Sequence, residues 1–87
     1  MATVLLTADA RRQLGQLSGA MIRRVNDVLE RLEDWPKVSG AKPLRGTLTG
    51  SFRVRTGDWR VLFRVSSDVV TVFAIDNRRD VYRRRSI

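Results

Sequence analysis

The sequence contains no cysteine and no histidine, and among its 87 residues there are only two prolines, two lysines and one tyrosine. Without cysteine there is no disulfide and no thiolate ligand. Without histidine there is no imidazole acid or base, so zinc-finger sites, Ser-His-Asp triads and Cys-His nucleophile pairs are excluded. No hydrophobic run approaches the length of a membrane span, and Met1-Ala2-Thr3-Val4-Leu5-Leu6 is too short and too uncharged for a signal peptide, so the expected location is the cytoplasm. The length allows one small domain over 1–87, burying roughly 60% of the surface its unfolded chain exposes, and excludes large multi-step enzyme scaffolds. With 43% apolar and 30% charged residues and a mean hydropathy of −0.25, the chain is expected to fold.

Acidic residues are also scarce: 9 against 17 basic, a net charge of +8 and a pI near 11.6. Such an excess favours a polyanionic partner, first nucleic acid, then an acidic protein, then a membrane surface. The charge is uneven, with 7 basic and 5 acidic residues in 1–44 but 10 and 4 in 45–87. Fifteen of the 17 cations are arginine, whose planar fork suits bidentate phosphate contact.

Residues 1–6 read as a β-strand. Thr7 can cap a helix whose core stripe is Ala10, Leu14 and Leu17, with Asp9 in its first turn. Ser18-Gly19 ends that helix and caps a second, with Ile22, Val25, Leu29 and Leu32 facing the core and Met21 and Val28 widening the stripe. Arg23–Asp27 and Asp27–Arg31 are i,i+4 pairs on its outer side, and Trp35-Pro36 ends it. Residues 37–50 form a long irregular connection. Strands are expected at 51–56, 59–65 and 69–76, separated by Gly57-Asp58 and Ser66-Ser67-Asp68. The order βααβββ predicts an α+β fold, an antiparallel-rich twisted sheet with a helical hairpin on one face.

Strand side chains alternate faces, so they can be sorted from the sequence. A turn at Gly57-Asp58 pairs Thr56 with Trp59 and Val54 with Val61, which brings Phe52, Val54, Val61, Phe63 and Val65 to one face. The same register sets Arg55 across from Arg60 on the other face, with Arg53 and Arg64 nearby. Continued alternation puts Val70, Val72 and Ala74 inside, and Thr71, Phe73 and Ile75 outside beside Leu62. Like charges opposed in a sheet are destabilising. The face reads either as a preformed phosphate site or as a solvated face whose repulsion is tolerated. Tyr82 reads as a proton-transfer or base-stacking group or as an aromatic packed at the sheet edge, and 84–87 as a flexible basic tail.

Lys42-Pro43-Leu44-Arg45-Gly46, Ser51-Phe52-Arg53-Val54-Arg55, Gly57-Asp58-Trp59-Arg60-Val61-Leu62-Phe63 and Asn77-Arg78-Arg79-Asp80-Val81-Tyr82, in this order and spacing, resemble the RelE/ParE toxin superfamily of prokaryotic type II toxin–antitoxin systems. The resemblance covers nearly the whole chain and favours the RelE branch. That branch implies a metal-independent endoribonuclease, an mRNA interferase that cuts mRNA in the ribosomal A site by attack of a ribose 2′-hydroxyl on the adjacent phosphate. It implies catalytic roles for Arg53, Arg55, Arg60, Arg78 and Tyr82; RNA or ribosome contacts are expected at Lys42, Arg45, Arg64, Arg79 and Arg83, and no cofactor is expected.

Two departures matter. Asn77 stands where many relatives carry histidine, and arginine replaces lysine at 53 and 55, where it cannot act as a base. The arginines would then stabilise the phosphorane, leaving Tyr82, the ribosome or solvent to move the proton. The implied partners are a cognate antitoxin with an acidic or amphipathic segment, the ribosome and mRNA, with operator DNA reached only through the antitoxin and no membrane. The alternatives are a ParE-like inhibitor of DNA gyrase on the same fold and a catalytically weak nucleic-acid-binding module.

Overall fold

The computed structural model of the chain describes residues 1–77. Its elements are β1 (Thr3–Leu6), α1 (Ala8–Gly15), α2 (Gly19–Leu32), β2 (Lys42–Pro43), a 3₁₀ turn (Gly46–Leu48), β3 (Ser51–Thr56), β4 (Trp59–Ser66) and β5 (Val69–Asn77). Both expected caps form. Thr7 Oγ1 accepts the Ala10 N–H at 3.2 Å, and Ser18 Oγ accepts that of Met21 at 3.4 Å. Asp9 pairs with Arg12 at 2.9 Å. The expected partners Arg23, Asp27 and Arg31 stay exposed and close no ion pair among the described residues, which costs little because such surface pairs contribute only a few tenths of a kcal/mol. α2 stops at Leu32, before the expected Trp35, as the N–H groups of Glu33, Asp34 and Trp35 bond back three residues. That tightening brings the Trp35 ring to 4.8 Å from Phe52 and 5.4 Å from Phe63.

The five strands form one sheet in the order β1-β5-β4-β3-β2, parallel between β1 and β5 and antiparallel elsewhere. Both helices pack on one face. There Val54, Val61, Phe63, Val70, Val72 and Ile75 meet Ala10, Leu17, Val25, Val28 and Leu32 in a single buried core. Each large side chain so buried contributes about 1.5–3 kcal/mol of hydrophobic stabilisation. The α+β architecture is therefore as expected, with one addition: the connection over 37–50 is not wholly irregular. Lys42 and Pro43 pair with Arg53 and Phe52 as a short edge strand, a place where proline's missing N–H does no harm. No helix of the described residues is long and apolar enough to cross a membrane.

The β3–β4 register holds as expected: Thr56 pairs with Trp59, Val54 with Val61, and Arg55 with Arg60. Gly57, at φ 62, supplies the positive dihedral that the first position of this two-residue turn needs. The expected alternation along β5 fails at one point. Leu62 pairs with Ala74 but Phe63 pairs with Val72, so Phe73 is an extra residue taken up as a bulge. Beyond it the faces exchange. Ile75 lies inside against Val61 and is fully buried, while Ala74 lies outside against Leu62. A bulge of one residue reverses every later side chain, and strict alternation cannot anticipate it.

Candidate functional site

The face turned away from the helices can be described as three rows running across the strands. The first is Arg55 (β3), Arg60 (β4) and Asp76 (β5). The second is Lys42 (β2), Arg53 (β3), Leu62 (β4) and Ala74 (β5). The third is Ser51 (β3), Arg64 (β4), Thr71 (β5) and Leu5 (β1). Five cations thus converge on one surface from three strands. Arg55, Arg64 and Lys42 are exposed, and Arg53 and Arg60 are half-buried. An apolar seam separates the charged rows, with Leu62 at 6% and Ala74 at 9% exposure. The flanking aliphatic stems of arginine are suited to cover such a seam while their heads reach water. The Arg64 guanidinium carbon lies 5.5 Å from the centre of the Phe73 ring, a cation–π contact that orients it.

Arg45 is exposed and stands just ahead of the 3₁₀ turn, outside the three rows. Arg78, Arg79, Tyr82 and Arg83 lie outside the described residues. Of the ten expected site residues, the fold therefore brings Arg53, Arg55, Arg60, Arg64 and Lys42 together.

Two further groups bear on the Arg55–Arg60 row, one at its hairpin turn and one on the face itself. Arg24 of α2 reaches the hairpin turn, since a Cβ on Gly57 would stand 3.3 Å from its guanidinium. It adds a cation beside the Arg55–Arg60 end of the sheet, and in the sequence it is indistinguishable from any polar residue on an amphipathic helix. Asp76, only 6% exposed, sits directly across from Arg60. Sequence alternation sets it on the helix side, and only the bulge at Phe73 turns it outward.

Chemically, the face is suited to an anion. Arginines on adjacent strands present forked donors that match phosphate oxygens, and backbone pairing fixes their spacing before any ligand arrives. Two like charges about 4 Å apart repel by about 1 kcal/mol even in water. The carboxylate at one end of the Arg55–Arg60 row offsets part of that cost. On the helix side, a groove of about 300 Å³ between β1 and α2 is lined by Val4, Leu6 and Leu29 with Asn26, Glu30 and Glu33. It is apolar and acidic where the outer face is basic.

Residues 4–82 match the family described as the ParE toxin of type II toxin–antitoxin system, parDE. The toxin RelG of Mycobacterium tuberculosis is 33% identical over 84 residues, covering 94% of this chain and 97% of the relative. The crystal structure of the toxin–antitoxin complex RelBE2 from the same organism aligns with a TM-score of 0.77 at 30% identity, over 88% of this chain and 98% of that one. The RelB–RelE antitoxin–toxin complex of Methanococcus jannaschii aligns with a TM-score of 0.78 over 92% and 96%; at 17% identity it shows a shared fold.

Proposed function

Because the chain belongs to the RelE/ParE superfamily of type II toxin–antitoxin toxins, we propose that it is a RelE-like, ribosome-dependent endoribonuclease that stops translation by cutting mRNA in the A site. The observation that carries this reading is the convergence of Arg53, Arg55 and Arg60 with Lys42 and Arg64 on one preorganised sheet face.

In the proposed reaction the ribose 2′-oxygen attacks the adjacent phosphorus, the bond to the 5′-oxygen breaks, and a 2′,3′-cyclic phosphate remains. One proton leaves the 2′-hydroxyl and one is delivered to the departing 5′-oxygen. Arg53, Arg55 and Arg60 hold the backbone for in-line attack and stabilise the charge that builds on the phosphorane oxygens. Arginine stays protonated and takes no proton in either step. By resemblance, Tyr82 moves a proton and Arg78 adds a further positive charge. The antitoxin then has a physical task, to lay an acidic segment across the arginine face. The two RelB-containing structures described above are themselves complexes of toxin with antitoxin.

The match to a family described as ParE favours a second reading, inhibition of DNA gyrase. The two separate cleanly. Inducing the protein in bacteria and mapping new mRNA 5′ ends should show cuts in phase with the reading frame. Purified protein should cut mRNA on ribosomes and leave naked RNA largely intact. Inhibited supercoiling with intact mRNA would establish the gyrase reading instead.

A further inference from the structure

The one carboxylate in the three rows owes its place to an irregularity in the sheet. At the bulge β1 has already ended at Leu6, so the exposed edge of β5 passes to α1. The Thr7 N–H donates to the Val72 carbonyl at 2.9 Å, and Thr7 Oγ1 donates to the Phe73 carbonyl at 3.5 Å. Gln13 Oε1 accepts the Ile75 N–H at 2.7 Å. The helix thus pairs backbone groups that a longer β1 would have paired. Without the extra residue, strand parity would set Ile75 opposite Arg60 and turn Asp76 toward the helices. With it, Asp76 faces Arg60 and is 6% exposed.

A carboxylate on a phosphate-binding face weakens the binding of phosphate. Its gain is geometric. Residues directly opposed on neighbouring strands have Cβ atoms roughly 4.5–5.5 Å apart, within reach of an aspartate–guanidinium pair. A carboxylate can take two of the five N–H donors of arginine in a fixed plane and leave three for an incoming phosphate.

We propose that Asp76 is the positioning residue of Arg60, fixing its guanidinium for the scissile phosphate, and that Gln13 keeps Asp76 in place by pinning the bulge. The cleavage part of this assignment rests on the nuclease reading above; the Arg60–Asp76 relation does not. Because only interactions that improve in the transition state raise the rate, loss of Asp76 separates binding from chemistry.

The test compares the full-length wild type with Asp76→Asn, Asp76→Glu and Gln13→Leu. It measures ribosome binding, single-turnover cleavage of ribosome-bound mRNA and the NMR signals of the Arg60 Nη–H groups. Asp76→Asn should bind as tightly as wild type or tighter, cleave roughly ten- to a hundredfold more slowly, and lose the distinct Arg60 signal. Asp76→Glu should recover part of both. Gln13→Leu should shift both in the same direction by less. An unchanged Arg60 signal together with wild-type cleavage in Asp76→Asn overturns the proposal. Should Asp76→Asn fail to fold, Gln13→Leu decides alone, and normal Arg60 order with normal cleavage there overturns it too. If the wild type leaves mRNA uncut while the Arg60 signal still depends on Asp76, the positioning stands and the nuclease reading falls.

Discussion

The two faces of the sheet are built from the same three strands and obey opposite rules. On the helix side, Val54, Val61, Phe63, Val70, Val72 and Ile75 are at most 1% exposed, and each supports its neighbours. On the other side, Arg53, Arg55, Arg60 and Arg64 repel one another, and a single aspartate opposes them by register. A surface needing only solubility has no reason to stack like charges across adjacent strands, since mixed signs dissolve equally well at lower cost. The inner face therefore explains why the chain folds, and the outer face is the one to which the proposed function assigns the chemistry. Substitutions on the two sides should accordingly fail in different assays.

The largest effect is expected inside. Phe63 is fully buried, and its ring lies 5.4 Å from that of Trp35 and 5.8 Å from that of Phe52. Phe63→Ala should cost about 3–5 kcal/mol by urea denaturation. An 87-residue domain has a total stability on the order of 4–13 kcal/mol, so this variant should lose roughly a quarter of it or more. A loss below about 1 kcal/mol would mean that the aromatic cluster does not anchor the hairpin.

Arg60→Ala should invert that pattern. Stability should fall by about 1–3 kcal/mol, less than in Phe63→Ala, because Asp76 at 6% exposure loses the guanidinium opposite it. Single-turnover cleavage of ribosome-bound mRNA should fall on the order of a hundred- to a thousandfold, as expected for one lost transition-state donor. Ribosome binding should weaken far less. Equal losses in binding and rate would make Arg60 a docking residue. If Arg60→Ala remains fully toxic in cells, the active face lies elsewhere.

Arg53→Ala combined with Arg55→Ala addresses affinity. If each arginine neutralises one phosphate of single-stranded RNA, the slope of log K against log salt should flatten by roughly 1.4, since each such contact contributes about 0.7. A folded double mutant with the wild-type slope would remove these two residues from the RNA contact.

How much of this was legible in the sequence depends on whether the information was local. The caps at Thr7 and Ser18, the helical stripes and the Gly57-Asp58 turn are set by residues close together in the chain, and from them the β3–β4 register and its Arg55–Arg60 opposition followed. The bulge at Phe73 was not legible. It depends on β1 ending at Leu6 and on Gln13, which bonds to the backbone of a residue 62 positions away. Asp76 and the true places of Ala74 and Ile75 were lost with it. β2 was missed because a two-residue strand containing proline has no periodicity to read, and Arg24 because its position beside Gly57 is purely tertiary.

The smallest predicted effect tests the contrast between the faces most directly, because its sign matters more than its size. Arg55 is exposed at the end of the row Arg55–Arg60–Asp76, one strand further than Arg60 from the carboxylate. Arg55→Thr keeps a strand-forming residue while removing one side of the Arg55–Arg60 repulsion. It should stabilise the fold by a few tenths of a kcal/mol, the scale of a cross-strand pair. The gain should be greatest at low ionic strength. It should shrink toward zero near 1 M salt, where charges are screened within about 3 Å. Denaturation curves of wild type and Arg55→Thr at both salt concentrations give the comparison. A variant less stable than wild type at low salt would show that Arg55 contributes to the fold, and the view of the outer face as a functional load on it would fail.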